Sequence, residues 1–334
     1  MQKPKEEIPT LFKNPLIKDV SEYYFNPIDI QVDLIYSPPA KKQYAYIMVF
    51  DNTEWRPVAW GKIRNHEATF SKMNTGCAYL VMYYDEGRFH AACDPFYMDN
   101  EGKKKILKPD STEKESITIM RKYPFHHETR LGVMKERMPG GKFQIANRSD
   151  FKDAITVHEI DTLKVMTFQY VQLDNVPPCK YFRYLSSDKG YVFIAEMSVY
   201  NSQNRQLTGK IIGTDGCRNR NRVKTNAFDG DNLTVFEAPE PAGGWVGLEF
   251  EKKEQIAKIK YIPYNDDNHI NENEEYELFY YDRKWISLGK RIGDQTHALH
   301  YDNVPENSLL WIRNHTKGKE ERIFTYEGGE QVWW

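Results

Sequence analysis

The sequence predicts an all-β protein made of tandem β-sandwiches. Aromatic residues make up 14% of the 334 residues, and Tyr (22) and Phe (17) are abundant. Aromatic and β-branched side chains fit the pleated, half-buried surface of a sheet. Short apolar runs also alternate with Gly-, Pro- and Asp-containing turns, and no amphipathic helix with a long apolar stripe interrupts them.

The N-terminal part is predicted to hold a leader or linker (1–25) and a first β-sandwich (26–120). Residues 1–25 are charged and contain three prolines. Residues 26–120 hold short strand candidates, and Asp85-Glu86-Gly87 between two aromatic runs is typical of a hairpin. Regular short strands separated by turns predict a sandwich of about 90 residues, immunoglobulin-like in size. The strand candidates are Ile28–Tyr36, Gln43–Phe50, Arg56–Ile63, Glu67–Phe70, Ala78–Tyr84, Arg88–Ala92, Lys104–Leu107 and Ile117–Arg121.

The next segment, 121–205, is predicted to be a shortened jelly-roll-like β domain. Pro139-Gly140-Gly141 and Val176-Pro177-Pro178 break the chain between its strand candidates. The segment is small for an independent jelly roll. Its strand candidates are Lys142–Ala146, Ile155–Ile160, Thr167–Leu173, Tyr181–Leu185 and Val192–Tyr200.

The last segment, 206–334, is predicted to be a jelly roll. It contains an acidic turn (Asp229 to Thr234), a Pro- and Gly-rich connector and a half-buried strand, Trp245–Phe250. The run Glu275–Tyr281 is apolar on both faces or nearly so, as expected for an inner strand of a sandwich. The further strand candidates are Leu207–Ile212, Ile256–Pro263, Trp285–Leu288, Leu309–Asn314 and Arg322–Tyr326.

Charge and hydropathy exclude several partners. The net charge is −2, and Lys103–Lys105 is the longest basic run, so nucleic acid and anionic membranes are poor partner candidates. No apolar stretch approaches the ~18 residues of a membrane span, so we expect no membrane insertion. The N-terminal sequence lacks the apolar region of a signal peptide, so the protein is either cytoplasmic or an exported chain whose leader has been removed.

The four cysteines (Cys77, Cys93, Cys179 and Cys217) have irregular spacings and no Cys-x-x-Cys motif, which disfavours a zinc site. Cys77 and Cys93 bracket a predicted hairpin, so they either meet or are separate small buried residues; the second interpretation is favoured.

The C-terminal runs AFDGDNLT, GWVGLEF, IAKIKYIP, YELFYYDRKWISLG and LLWIRN resemble the discoidin family, also called the coagulation factor 5/8 type C or galactose-binding-like family. The preceding run KYFRYLSSDKGYVFIAEMSVY is similar to parts of such a domain. The whole arrangement resembles the C-terminal half of bacterial surface proteins that carry a transglutaminase-like domain upstream. This resemblance implies export to the cell surface or secretion, and a tethered enzyme domain that is absent from this chain.

The same resemblance implies a structural calcium ion at the acidic turn. Many family members bind calcium there, which assigns Asp229, Asp231 and Thr234 as ligands, and a carboxylate from the last strand, for which Glu327 is the candidate. Carboxylate, hydroxyl and carbonyl oxygens are the ligands that Ca²⁺ prefers. The alternative is a turn held by Asx-type hydrogen bonds without metal.

Sugar recognition needs planar polar groups for hydroxyls and an aromatic face for the ring, and jelly rolls place both on loops at one end. The loop Asn265–Glu274 offers Asp266, Asp267, Asn268 and His269 as candidate ligand contacts. The alternative is a solvated acidic loop. The basic run with Arg218, Arg220 and Arg222 either lines the same face or is simply solvated.

No catalytic motif supports an enzyme: Gly-x-Ser-x-Gly, the P-loop, His-Glu-x-x-His and a dinucleotide glycine motif are all absent from the sequence. We therefore expect a non-catalytic, exported module that binds a glycan or glycoprotein. The alternative is a structural or protein-interaction scaffold that accompanies an enzyme domain.

Overall fold

The computed structural model describes residues 28–51, 53–125, 138–162, 167–318 and 321–334. These residues form β-strands and one short 3-10 helix (Lys224–Phe228), so the all-β prediction is confirmed. The leader or linker predicted for residues 1–25 lies outside the described residues. Within the described ranges, no helix is long and apolar enough to cross a membrane. All four cysteines are free thiols.

The strands are β1 (Ile28–Asp33), β2 (Tyr44–Asp51), β3 (Glu54–Arg64), β4 (Glu67–Met73), β5 (Cys77–Asp85), β6 (Arg88–Ala91), β7 (Phe96–Met98), β8 (Lys104–Ile106), β9 (Lys114–Ile119), β10 (Lys142–Ala146), β11 (Ile155–Glu159), β12 (Gln169–Gln172), β13 (Cys179–Leu185), β14 (Ile194–Tyr200), β15 (Gln206–Leu207), β16 (Lys210–Gly213), β17 (Trp245–Glu254), β18 (Lys258–Pro263), β19 (Glu275–Tyr281), β20 (Trp285–Ile292), β21 (Leu299–Pro305), β22 (Leu310–Asn314), β23 (Ile323–Glu327) and β24 (Glu330–Trp333).

Contacts between residues divide the chain into two compact units. The first unit combines Met1–Pro124 with Glu272–Trp334, and the second is Phe125–Asn271. This grouping differs from the four segments 1–25, 26–120, 121–205 and 206–334, because strands from both sides of residue 205 pair in the same sheets.

The first unit contains an eight-stranded sheet with the order β1-β4-β3-β2-β5-β7-β8, in which β6 also pairs with β5. Its central strands are buried on both faces. On one face, Ile47 and Val81 belong to a core with Phe70. On the other face, Tyr46 and Leu80 belong to a second core, which also contains side chains from β19 and β22. This two-sided burial explains the continuous apolar run of β2.

The C-terminal residues of the first unit add a five-stranded sheet, β20-β19-β22-β23-β24, and a two-stranded ladder of β21 with β9. β19 lies between β20 and β22, as its two apolar faces predicted. An aromatic cluster joins this sheet to β2, since the Phe50 ring lies 5.4 Å from that of Trp285 and 5.3 Å from that of Trp311.

The second unit is a β-sandwich. Its sheets have the orders β11-β10-β13-β17-β16 and β12-β18-β14-β15, and the buried side chains of both sheets form one core. Phe143 in β10 lies between the sheets, with its ring 4.9 Å from that of Tyr261 in β18. β13 pairs with β17, and Gly247 lies opposite Arg183. A Cβ atom at Gly247 would collide with the carbonyl oxygen of Phe182, so this ladder requires glycine there.

Several strands of this sandwich begin or end together. Leu185 pairs with Trp245, Gly213 pairs with Val246, and Ile194 pairs with Pro263. The loops 186–193, 214–244 and 264–271 therefore emerge at the same end, which we call the loop end. The Ser186 N–H donates to the Gly244 carbonyl at 2.8 Å, which ties two of these loops together.

Candidate functional site at the loop end

The acidic turn is held by its own side chains. Asp229 accepts hydrogen bonds from the Asp231 N–H and the Thr234 hydroxyl, both at 2.9 Å. Asp231 in turn accepts one from the Leu233 N–H at 2.9 Å. These are the Asx-type bonds by which Asp stabilises turns without metal. The two carboxylates are exposed to solvent.

The acidic turn and the loop that follows β18 lie together at the loop end. Asn265 donates to the Asn232 carbonyl at 2.7 Å, and the Asn232 amide donates to Asp267 at 3.1 Å. Asp267 also accepts a hydrogen bond from the Asn271 amide at 3.1 Å. Side-chain amides and one carboxylate therefore join the acidic turn to the loop that follows β18.

Most of the predicted ligand contacts are buried. His269 is 0% exposed, Asn268 is 2% exposed and Asp267 is 7% exposed, whereas Asp266 is half-buried. The His269 ring packs at 6.5 Å from the ring of Phe168. Of these four side chains, only Asp266 is partly exposed to solvent. The other three are buried within the loop and its surroundings.

Glu196 in β14 is the carboxylate next to the acidic turn. It accepts a hydrogen bond from the Gly230 N–H at 2.9 Å. Burial raises the pKa of this carboxyl to about 7, the Asp229 charge adds to the rise, and the Gly230 N–H opposes it. The sequence signal for this residue is a charge between the apolar residues Ala195 and Met197, a pattern that also fits an ordinary half-buried strand.

Glu327 lies in the first unit, where it has other partners. It accepts a hydrogen bond from the Thr325 hydroxyl at 3.0 Å and lies 3.3 Å from the Lys105 ammonium group. These residues line a polar cleft of about 350 Å³.

The predicted calcium ligands fit an ion only in part. Asp229, Asp231 and Thr234 share one turn, but each already makes a hydrogen bond within that turn. In the part of the chain that the structure describes, no group of three or more His, Cys, Asp or Glu side chains is arranged to hold a metal ion. Calcium at this turn stays a prediction.

The raised pKa of Glu196 predicts that the stability of the protein depends on pH. The stability is measured in the presence of a chelator, so that no bound metal contributes. Between pH 4.5 and 7 the folded chain keeps a proton that the unfolded chain has released, so stability falls as the pH rises through this window. At pH 8, Glu196→Gln should therefore unfold at a higher denaturant concentration than the wild type. Its free energy of unfolding should be higher by about 1–2 kcal/mol, after allowance for solvent screening. At pH 4 the two proteins should be equally stable.

A pH-independent difference between the two proteins would contradict this prediction. Adding Ca²⁺ at pH 8 provides a second comparison. If the turn binds the ion, Ca²⁺ should raise the melting temperature of the wild type and not that of Asp229→Ala.

A buried carboxylate and two arginines form a second polar group at the loop end. Glu237 is buried, and its oxygens lie 2.6 Å from Arg222 and 3.2 Å from Arg218. The Arg218 guanidinium also lies 4.4 Å from the centroid of the half-buried Tyr191 ring. The Arg218 side chain is 52% exposed and donates one side-chain hydrogen bond among the described residues. Its other N–H groups can therefore donate to a ligand.

The sequence pointed to the arginines but not to Tyr191 or Glu237. Glu237 follows the buried residues Val235 and Phe236, and Tyr191 precedes Val192. Neither pattern separates a site residue from an ordinary strand-end residue.

Comparisons with known proteins give no relative. No family model, no curated protein and no solved structure matches this chain.

Proposed function

We propose that this chain is a non-catalytic glycan-binding protein whose ligand contacts the loop end of the second unit. The observation that carries the proposal is the arrangement of Arg218, Tyr191 and Glu237. A planar donor, several of whose N–H groups have no partner in the described part of the chain, lies over an aromatic ring and is held in place by a buried carboxylate.

Each part of this arrangement has a role in binding a sugar. Charge-assisted donors form strong hydrogen bonds to hydroxyl oxygens, and the planar guanidinium keeps a fixed orientation because Glu237 holds one side of it. The Tyr191 ring lies against the Arg218 guanidinium and helps to hold this donor in position. The exposed Asp229 and Asp231 carboxylates and the half-buried Asp266 supply acceptors for hydroxyl groups at the same end.

The resemblance to the discoidin family agrees with this function and remains part of the proposal. The same resemblance supports four further proposals: export, a glycan or glycoprotein partner outside the cell, a structural calcium ion and a tethered enzyme domain.

A glycan array tests the proposal directly. The wild-type protein should bind a subset of glycans, and Arg218→Ala should weaken that binding at least tenfold, a loss of about 1.4 kcal/mol. Arg222 still pairs with Glu237 in this variant, so we expect it to fold. Arg220→Ala is the matched control, because Arg220 is an exposed arginine of the same loop with no ion pair among the described residues, and it should bind as the wild type does.

The array is read in calcium and in chelator. Absence of binding in both conditions would leave the alternative of a scaffold without sugar affinity. Equal losses in Arg218→Ala and Arg220→Ala would indicate a diffuse charge effect instead of a defined site.

A further inference from the structure

One arginine of the second unit has no acidic partner among the described residues. Arg183 lies in β13, and its neighbours Phe182 and Tyr184 belong to the core of the sandwich. Successive side chains of a strand point to opposite faces, so Arg183 lies on the face of the sheet away from the core, which we call the outer face. It is half-buried there, and its Nε donates to the Gln144 side-chain carbonyl at 2.9 Å.

The two terminal nitrogens are the part of Arg183 that a ligand can reach. Neither forms a hydrogen bond or an ion pair with a described residue. Neither is a fully buried atom, so solvent has access to both. Burial lowers the pKa of this guanidinium, and no carboxylate of the described residues is close enough to raise it again. A half-buried charge without a counter-charge has lost hydration without replacing it, and an anionic ligand would compensate this loss.

Aromatic rings and an amide hold the guanidinium in one orientation. Its central carbon lies 4.1 Å from the centroid of the Phe151 ring and 5.5 Å from that of the half-buried Trp245 ring. Gln144 is itself fixed, because its amide donates to the Thr156 hydroxyl at 3.1 Å. A planar donor that is already oriented binds a matching acceptor at low entropic cost.

An unusual backbone conformation brings the Phe151 ring to this position. Phe151 has a φ of 54°, in the left-handed region that a bulky residue seldom adopts. Its N–H donates to the Arg148 carbonyl at 3.1 Å, and the Arg148 N–H donates to the Asp153 carboxylate at 3.2 Å, so the loop fixes the strained residue. Backbone strain of this kind is frequent at ligand sites. The ring is buried against the outer face instead of in the core.

The other charged side chains around Arg183 balance one another. On the outer face, Glu249 of β17 lies opposite Lys210 of β16 and accepts a hydrogen bond from the Tyr181 hydroxyl at 3.4 Å. The loop that follows β13 adds one charge of each sign. The strands β10 and β11 and the loop between them add three cations and three anions, which are Lys142, Arg148 and Lys152, and Asp150, Asp153 and Glu159. What remains is the single positive charge of Arg183, which matches one carboxylate.

We propose that Arg183 is the centre of a carboxylate-binding site on the outer face of the second unit. The ligand carboxylate accepts one hydrogen bond from each terminal nitrogen, in the two-point geometry that a planar guanidinium favours. The ligand is a small monocarboxylate, and a uronic acid or an N-acylated amino acid supplies this group. The site does not use Arg218, so it stands apart from the glycan site proposed at the loop end.

Matched acidic and neutral probes test the site by saturation-transfer difference NMR at pH 7. One pair is the methyl glycosides of glucuronic acid and glucose, and the other is N-acetylalanine and its amide. At least one acid should bind about tenfold more tightly than its neutral partner, and the pair that shows this difference identifies the source of the carboxylate. If neither acid binds more tightly than its neutral partner, the proposal is wrong.

Gln144→Glu is the most direct variant, because it supplies the missing carboxylate from the chain itself. The new carboxylate can still accept from the Arg183 Nε and neutralises its charge, so the acid should bind about tenfold more weakly to a folded protein. Arg183→Lys keeps the charge without the two-point geometry and should weaken binding too. Lys152→Gln is the matched control, because it removes an exposed cation of the neighbouring loop, and it should bind as the wild type does.

Arg218→Ala separates this site from the loop end and should leave acid binding unchanged. Loss of binding in Arg218→Ala with full binding in Gln144→Glu would overturn this proposal and support the loop-end site. Equal losses in Gln144→Glu and Lys152→Gln would indicate a diffuse charge effect and would also overturn it. If Gln144→Glu fails to fold, Arg183→Lys decides the question, and unchanged binding in that variant would count against the site.

Discussion

Replacing Phe143 by alanine should destabilise the second unit by about 3–5 kcal/mol, the usual cost of removing a buried phenylalanine. Phe143 is fully buried and contacts rings from both sheets, with centroids 5.1 Å from Tyr184 in β13 and 4.9 Å from Tyr261 in β18. The cavity in Phe143→Ala would remove contacts on both sides of the sandwich. Chemical denaturation followed by far-ultraviolet circular dichroism measures the loss.

Amide hydrogen exchange shows which strands lose stability in this variant. The amides of Lys258–Pro263 should exchange faster in Phe143→Ala, because β18 shares a core with β10. Ile155→Ala in the neighbouring strand β11 is the control: Ile155 is exposed, so the change should stay within about 0.5 kcal/mol. Faster exchange confined to 138–200, with β18 unchanged, would contradict a single sandwich formed from both sides of residue 205.

Replacing Glu237 by alanine should have the second large effect, a destabilisation of about 2–4 kcal/mol. Breaking a buried ion pair by removing one partner costs about 3–5 kcal/mol, because the other charge stays behind without compensation. The destabilisation expected for Glu237→Ala lies towards the lower end of this range, because the Arg222 side chain is 24% exposed and water can solvate it in part. Glycan binding at the loop end should disappear in the same variant, because Arg218 loses the group that orients it over Tyr191.

Two further variants separate the charge from the shape of this side chain. Glu237→Gln keeps the volume and one acceptor, so its stability should lie between those of the wild type and Glu237→Ala. Glu240→Ala removes an exposed carboxylate with no ion pair among the described residues, and should change stability by less than about 0.5 kcal/mol. A stable Glu237→Ala protein that binds no glycan would show that the ion pair serves binding and not folding.

Strand positions were the most predictable level of this structure. Lys142–Ala146 and Glu275–Tyr281 were predicted with the bounds that the structure has, and Trp245–Phe250 begins at the correct residue but continues to Glu254. Period-two alternation and aromatic content are local properties, so a single sequence carries them. The part of β17 beyond Phe250 was not predictable from the local sequence, because Glu251, Lys252 and Lys253 are polar and exposed. Pairing within the sheet keeps these residues in the strand.

The candidate site was predictable only where its bonds are local. The acidic turn depends on contacts between residues two to five positions apart, so its composition sufficed to locate it. The loop after β18 contains many polar residues, which predicted either exposed ligand contacts or a solvated loop, yet His269 and Asn268 are buried. Their burial depends on contacts with distant residues, including Phe168, which no local pattern encodes.

The sequence by itself determined the all-β class, most of the strands and the position of the acidic turn, because each depends on neighbouring residues. The tertiary structure decided how these strands combine. β13 pairs with β17 and β14 pairs with β18, so the short segment 121–205 is completed by the residues that follow it. Ladder hydrogen bonds can join any two strands of compatible pattern. Only the complete packing of the core selects the partners, and with them the loops that meet at the loop end.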